Sequence, residues 1–212
     1  MSGELLIEAR GQIEIATLNR PARLNALSEA LVDELNDYFG GLAARPAVRV
    51  VILRGAGRGF CAGLDIQEDR SSDETPVLRT LRTQTSIGNI YRKMRACPQP
   101  IIALGHGAAA GGGLSLMLAA DVRYAAPGFR CNAAYIRIGL GGCDMASSYF
   151  LPRLVGASLA AEMILTGRFI DAERALSAGL VSEIVAEDEL LDRGLALAEE
   201  MLATSPWGLR LS

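Results

Sequence analysis

Histidine and lysine are almost missing from this sequence: His106 and Lys93 stand alone, and aromatic residues make up 5 % of 212 residues. One histidine with four irregularly spaced cysteines (Cys61, Cys97, Cys131 and Cys143) and no C-x-x-C pair provides no zinc-binding pattern. No metal is therefore expected, and the cysteines read as reduced, buried thiols of a cytoplasmic protein. Excess positive charge is lacking too. A net charge of −3 and a pI near 5.3 argue against a nucleic-acid partner. A membrane partner is not expected either. The longest apolar stretch, residues 101–120, is interrupted by Gly105, His106, Gly107 and the Gly111-Gly112-Gly113 triplet and is ended by Asp121. Residues 1–10 carry acidic side chains and lack the apolar core of a signal peptide.

What is abundant is small and aliphatic. Half of the residues are hydrophobic, so the core must be built from Ala, Leu, Ile and Val. Short β-prone runs at 5–9 and 12–18 flank Arg10-Gly11 and predict an opening hairpin. Ser28 is placed to cap a helix through residue 42, with Leu31, Val32, Leu35 and Phe39 at helical spacing. Residues 48–53, apolar except for Arg49, form a run of strand length, as in a sheet covered on both faces. Thr75-Pro76 reads as the cap and first residue of a helix to Arg95. Strands at 101–104, 122–125 and 180–185 alternate with helices ending near 120 and spanning 144–155, 159–165, 172–178 and 189–204. Such alternation implies an α/β domain with a largely parallel sheet. No fixed-period repeat is visible.

Two glycine-rich segments follow strands. Residues 59–66 (Gly-Phe-Cys-Ala-Gly-Leu-Asp-Ile) let the backbone approach a ligand, at the place where parallel sheets bind them. In residues 105–115, three glycines at a helix start leave N–H groups uncovered, and the helix dipole adds positive charge there. Such donors suit an oxygen that gains negative charge; close packing of helix on strand would use glycine equally well. Gly105, Gly107 and Ala110 also match the dinucleotide pattern G-x-G-x-x-A, which keeps an NAD-dependent oxidoreductase as an alternative. No Lys-Ser or Lys-Thr follows, so the segment is not a phosphate loop.

Five motifs together resemble the enoyl-CoA hydratase/isomerase (crotonase) family. They are Asn19 through Leu27 (NRPARLNAL), Phe60 through Ile66 (FCAGLDI), the Gly105 to Gly113 segment, Leu165 through Ala172 (LTGRFIDA) and Gly179-Leu180-Val181. They occur in the family's order and spacing over nearly the whole chain. The resemblance implies a spiral of ββα units with a helical C-terminal region, in trimers or dimers of trimers. It divides the chain into an acyl-CoA-binding domain, residues 1–204, and the start of a C-terminal helical segment, 205–212, that looks cut short. It implies an acyl-CoA substrate, with coenzyme A as part of that substrate and no other cofactor, in fatty acid metabolism. The backbone N–H groups of Leu64 and Gly112 would hold the thioester oxygen as an oxyanion hole. Arg23, Leu24, Ala62, Gly63, Asp65, Ile66, Gly111, Ser115 and Tyr135 would contact substrate. Arg20 and Arg23 would pair with phosphate or stand as solvated surface charges.

The chain departs from the family pattern at one place. Hydratases of this family handle water with two glutamates, and here their positions hold Ser115 and Tyr135. Neither side chain serves as a general base near neutral pH, so the two-glutamate lyase route is in doubt. Asp144 resembles an aspartate that dienoyl-CoA isomerases of the family place in the active site; it also stands at an expected helix start, where Asp is a favoured cap. The expected activity is thus isomerisation or atypical hydration of an enoyl-CoA, with a non-catalytic CoA-binding paralogue as the alternative. Ser115 with His106 raises a serine-hydrolase reading that lacks an elbow motif and a third member.

Overall fold

The structure, a computed structural model, describes residues 3–67, 75–141 and 144–211, with the side chains of Pro76 and Asp144 outside that description. Strands β1 (Leu5–Arg10) and β2 (Ile13–Leu18) form the expected antiparallel hairpin. Helix α1 (Glu29–Gly41) begins where the Ser28 hydroxyl accepts the Leu31 N–H, as its sequence predicts. Strand β3 (Val50–Gly55) precedes α2 (Pro76–Ala96), whose cap Thr75 accepts the Leu78 N–H. Strands β4 (Ile101–Gly105) and β5 (Ala108–Ala110) lead into α3 (Gly112–Ala119). Strands β6 (Val122–Ala125) and β7 (Arg130–Asn132) lead through 3-10 turns at Ala134–Ile138 and Asp144–Ala146 into α4 (Ser147–Val155). The chain continues as α5 (Ala157–Thr166), β8 (Ile170–Asp171), α6 (Ala172–Ser177), β9 (Glu183–Ile184), α7 (Leu190–Leu202) and α8 (Pro206–Leu211).

The main sheet runs β1-β2-β3-β4-β6-β9, and every pair after the first is parallel. Side-chain alternation along its strands divides the core in two. Ile13, Ile15, Val50, Ile52, Ile102 and Leu104 face α7, where Leu190 and Ala198 meet them. Ala16, Leu18, Val51, Leu53, Ile101 and Ala103 face the other way, toward Leu35 and Phe39 of α1, Ile90 and Met94 of α2 and Leu116 of α3. Both faces are covered at the centre of the sheet, which is why residues 50–53 and 101–104 read as uninterrupted apolar runs.

A second sheet, β5-β7-β8, has no mark in the residue pattern and supplies the second strands of the ββα units that the family resemblance implies. Cys61 pairs with Ala109 at its edge through a single parallel bridge. After each of β3, β4 and β6 the chain thus makes a second short extended piece before turning to a helix or helical turn. This is a strand–strand–helix repeat. Its second strands are three residues or fewer, too short to show periodicity in sequence. The strand expected over 180–185 shrinks to β9, because the Leu180 and Val181 N–H groups donate to the Ala175 carbonyl of α6.

The helix expected over 144–155 is interrupted. Met145 (φ 50°) and Ala146 (φ 61°) take left-handed conformations, so the cap position of α4 falls to Ala146, which has no side chain to offer. Asp144 is therefore not the N-cap of that helix. Among the described residues no helix is long and apolar enough to cross a membrane.

Candidate active site

The segment after β3 is stitched down on two sides. Toward β5, the Cys61 N–H donates to the Ala108 carbonyl at 3.0 Å and the Ala110 N–H to the Cys61 carbonyl at 3.0 Å. Toward the N-terminal turn, the Ala62 N–H donates to Leu24 (2.9 Å), the Leu27 N–H to Gly63 (2.7 Å) and the Asp65 N–H to Leu27 (3.1 Å). Leu27 thus bonds the residues on both sides of Leu64, and the parallel bridge turns the Leu64 amide away from it. Gly63 makes the turn possible at φ 89°; a Cβ there would stand 2.6 Å from the Ala110 oxygen and 3.4 Å from the Gly112 nitrogen.

Gly112 is the first residue of α3, where an N–H has no acceptor within the helix. Among the described residues neither the Leu64 amide nor the Gly112 amide has a hydrogen-bond partner. Both residues line a cavity of about 130 Å³ whose other walls include Leu27, Ile87, Ala134, Ile138, Leu140 and Met145. No described residue of that lining carries a charge. Two unpartnered donors on residues that line an apolar cavity can take an oxygen that becomes more negative during a reaction, where low polarity strengthens each bond.

Ala62, Gly63, Ile66, Gly111 and Tyr135, named from sequence, line the same cavity. Ser115 is fully buried behind it. Its Oγ lies 2.6 Å from the Tyr135 Oη and 3.3 Å from the Ser147 Oγ, and Ser147 donates to Tyr135 at 3.0 Å. The two positions that carry glutamates in the hydratase pattern do come together, and they hold a hydroxyl cluster. Ser147 escaped sequence reasoning because no motif marks it. Only the fold of α4 against α3 brings it there. The side chain of Asp144 and residues 142–143 lie outside the described residues; the backbone of Asp144 adjoins Met145, which lines the cavity.

Arg23, Leu24 and Asp65 stand apart from that lining. The Asp65 side chain, 4 % exposed, binds Arg23 at 2.9 Å and Arg20 at 3.0 Å. Burial alone would raise the Asp65 carboxyl; hydrogen bonds from Arg23, Arg20 and the Gln67 amide outweigh it and hold the group below the usual carboxylate range. Arg20 also binds Glu4 at 2.9 Å and the Ala26 carbonyl at 2.5 Å, so it is neither a solvated surface charge nor a free phosphate ligand. Arg23 is half exposed and keeps one face toward solvent.

Two of the alternatives read from sequence do not survive. His106 is buried with its Nε2 at 2.8 Å from the Gly57 carbonyl, while Ser115 is engaged with Tyr135 and Ser147, so no Ser–His pair forms. The G-x-G-x-x-A segment does not run from strand into helix. Its last three residues are β5, paired with β7, which removes the geometry that a dinucleotide pyrophosphate needs. A separate cavity of about 310 Å³, lined by Arg54, His106, Glu187, Asp188 and Asp192, contains neither unpartnered amide.

A parallel sheet that brings a glycine-lined loop and a helix N-terminus to one apolar cavity defines an α/β fold with two unpartnered amides at a candidate ligand site. The enoyl-CoA hydratase/isomerase family model matches residues 8–211, and the chain belongs to that family, with its crotonase fold. It is 40 % identical over 207 residues to the "Probable enoyl-CoA hydratase echA12" of Mycobacterium leprae, covering 96 % of this chain and 70 % of the relative. Among solved structures, an enoyl-CoA hydratase from Bacillus anthracis superimposes with a TM-score of 0.91 at 33 % identity, covering 98 % of this chain and 80 % of that one. A monofunctional enoyl-CoA isomerase from M. smegmatis does so with a TM-score of 0.83 at 38 % identity, covering 99 % and 90 %. Similarity therefore extends to both reaction types and does not choose between them.

Proposed function

We propose that this acyl-CoA enzyme moves a double bond within an enoyl-CoA, using an oxyanion hole and one carboxylate. The observation that carries the reading is the pairing of two unpartnered amides with a hydroxyl cluster at the glutamate positions, with no carboxylate in that cluster among the described residues. The thioester oxygen sits between the N–H groups of Leu64 and Gly112. Their donation acidifies the C2 proton of a 3-enoyl-CoA and stabilises the dienolate left when it departs. Asp144 takes that proton and returns it to C4, giving the 2-enoyl isomer; no water is consumed. Hydration by two carboxylates has no counterpart in Ser115, Tyr135 and Ser147, which carry hydroxyls alone. The CoA portion runs past Arg23, Leu24 and residues 62–66, and coenzyme A is the only cofactor-like group the reaction needs. The same reading makes the protein a cytoplasmic homotrimer or hexamer working in fatty acid metabolism.

The test is a panel of 2-enoyl-, 3-enoyl- and dienoyl-CoA substrates, with products resolved by mass spectrometry. Isomerised product that disappears in Asp144→Asn supports the proposal, and fast hydrated product contradicts it. The hydroxyl cluster also favours a second reading, a CoA-binding paralogue without catalysis. Tight CoA binding with no turnover of any substrate would establish that one instead.

A further inference from the structure

We infer that Tyr135 is a positioning residue for the reaction: its phenol holds the Gly111 carbonyl and thereby aims and polarises the Gly112 N–H. The inference rests on the proposed oxyanion role of that amide.

The Gly111 carbonyl and the Gly112 N–H belong to one peptide unit. The unit is planar and trans, so fixing the direction of the oxygen fixes the hydrogen at the opposite side. Gly111 itself constrains this plane poorly. It sits at φ 50°, ψ −117°, a region open to glycine alone, and glycine rotates more freely than any other residue. The orientation must therefore come from hydrogen bonds. The Gly111 N–H donates to the Asn132 carbonyl at 3.0 Å, and its oxygen accepts the Ser115 N–H at 3.1 Å within the helix. The Tyr135 Oη adds the third and shortest bond, donating to the Gly111 oxygen at 2.7 Å. On the far side of Gly112, the Tyr91 Oη donates to the Gly112 carbonyl at 3.1 Å, so two tyrosines bracket the donor.

The cluster behind Tyr135 gives the bond a direction. Each hydroxyl has one proton. The Tyr135 proton goes to Gly111; Ser147 donates to the phenol oxygen, and Ser115 lies in reach to do the same. The result is a buried chain, Ser147 to Tyr135 to the Gly111 carbonyl to the Gly112 N–H to the substrate oxygen. Donation at one end strengthens donation at the next. The hydroxyls at the glutamate positions thus support carbonyl polarisation in place of handling water.

The experiment reads the thioester carbonyl itself. Butyryl-CoA labelled with carbon-13 at C1 is bound to wild type, Tyr135→Phe and a Ser115→Ala/Ser147→Ala double variant, and its carbonyl stretch is compared with that of the free thioester by difference infrared spectroscopy. Wild type is expected to lower the frequency. Tyr135→Phe, which keeps the ring, should show a clearly smaller shift, with kcat reduced about tenfold and KM within about twofold; the double variant should fall between. A full wild-type shift in Tyr135→Phe overturns the inference and leaves the oxyanion reading standing. If wild type itself produces no shift, the oxyanion reading fails and the inference with it. Should Tyr135→Phe fail to fold, the double variant decides: a reduced shift supports the chain, and an unchanged one refutes it.

Discussion

Gly112 allows the contribution of a single backbone donor to be isolated. It is the first residue of α3, the one helical position where proline is welcome and where the lost N–H has no intrahelical partner. Gly111 before it lies outside the α region, so a following proline is not opposed on that ground. Gly112→Pro therefore removes the N–H with the helix still able to start. Any Cβ at this site meets Leu27 Cδ1 at 2.8 Å and Tyr91 Oη at 3.1 Å, and Gly112→Ala brings the same crowding with the N–H retained. The Ala-to-Pro comparison thus cancels the crowding from Cβ. One oxyanion donor contributes about 3 kcal/mol to the transition state, which converts to roughly 150-fold in kcat. The assay is isomerisation of a 3-enoyl-CoA at saturating substrate, with binding of a saturated acyl-CoA measured separately to detect obstruction by the proline ring. A Pro variant that binds ligand and keeps kcat within about threefold of the Ala variant would refute the assignment of Gly112.

Other perturbations act on the frame around the site. A Cβ at Gly113 would fall onto the Cys61 carbonyl, so Gly113→Ala should cost about 3 kcal/mol and lower Tm by roughly 6–12 °C, read by calorimetry. Asp65 is held below its unfolded value near 3.9, so its ion pairs stabilise fully above that value and are lost as pH falls through the lowered folded value. Asp65→Asn should therefore cost about 2 kcal/mol at neutral pH, and the two proteins should converge as pH falls through that lowered value, by denaturant titration. Burial pushes the Cys61 and Cys131 thiols up to about 12, so a disulfide-exchange reagent near neutral pH should label neither until the protein is unfolded; peptide mapping of the label reads the result.

Sequence carried the main sheet well because its central strands β3 and β4 are apolar on both faces and helices α1 and α2 begin at strong caps, Ser28 and Thr75. The second sheet was illegible because three-residue strands such as β5 and β7 have no period to detect, and their pairing is set by the chain that surrounds them. At the site, glycine spacing and the family motifs led to Leu64, Gly112, Ser115 and Tyr135. What no pattern gave was the contact among Ser115, Tyr135 and Ser147, since each hydroxyl comes from a different helix or turn. Asp65 shows what a motif leaves out: in a loop expected to contact substrate, its side chain is engaged by Arg20 and Arg23, and no sequence pattern marks those ion pairs.

The central claim is that a proton is shuttled between carbons without addition of water. Incubating a 3-enoyl-CoA with the enzyme in deuterium oxide enriched in oxygen-18, and following the products by mass spectrometry and proton NMR, tests it most directly. The account predicts a 2-enoyl-CoA with deuterium at no position other than C2 and C4 and no heavy oxygen. A 3-hydroxyacyl-CoA carrying oxygen-18, formed as fast as the isomer, would contradict it.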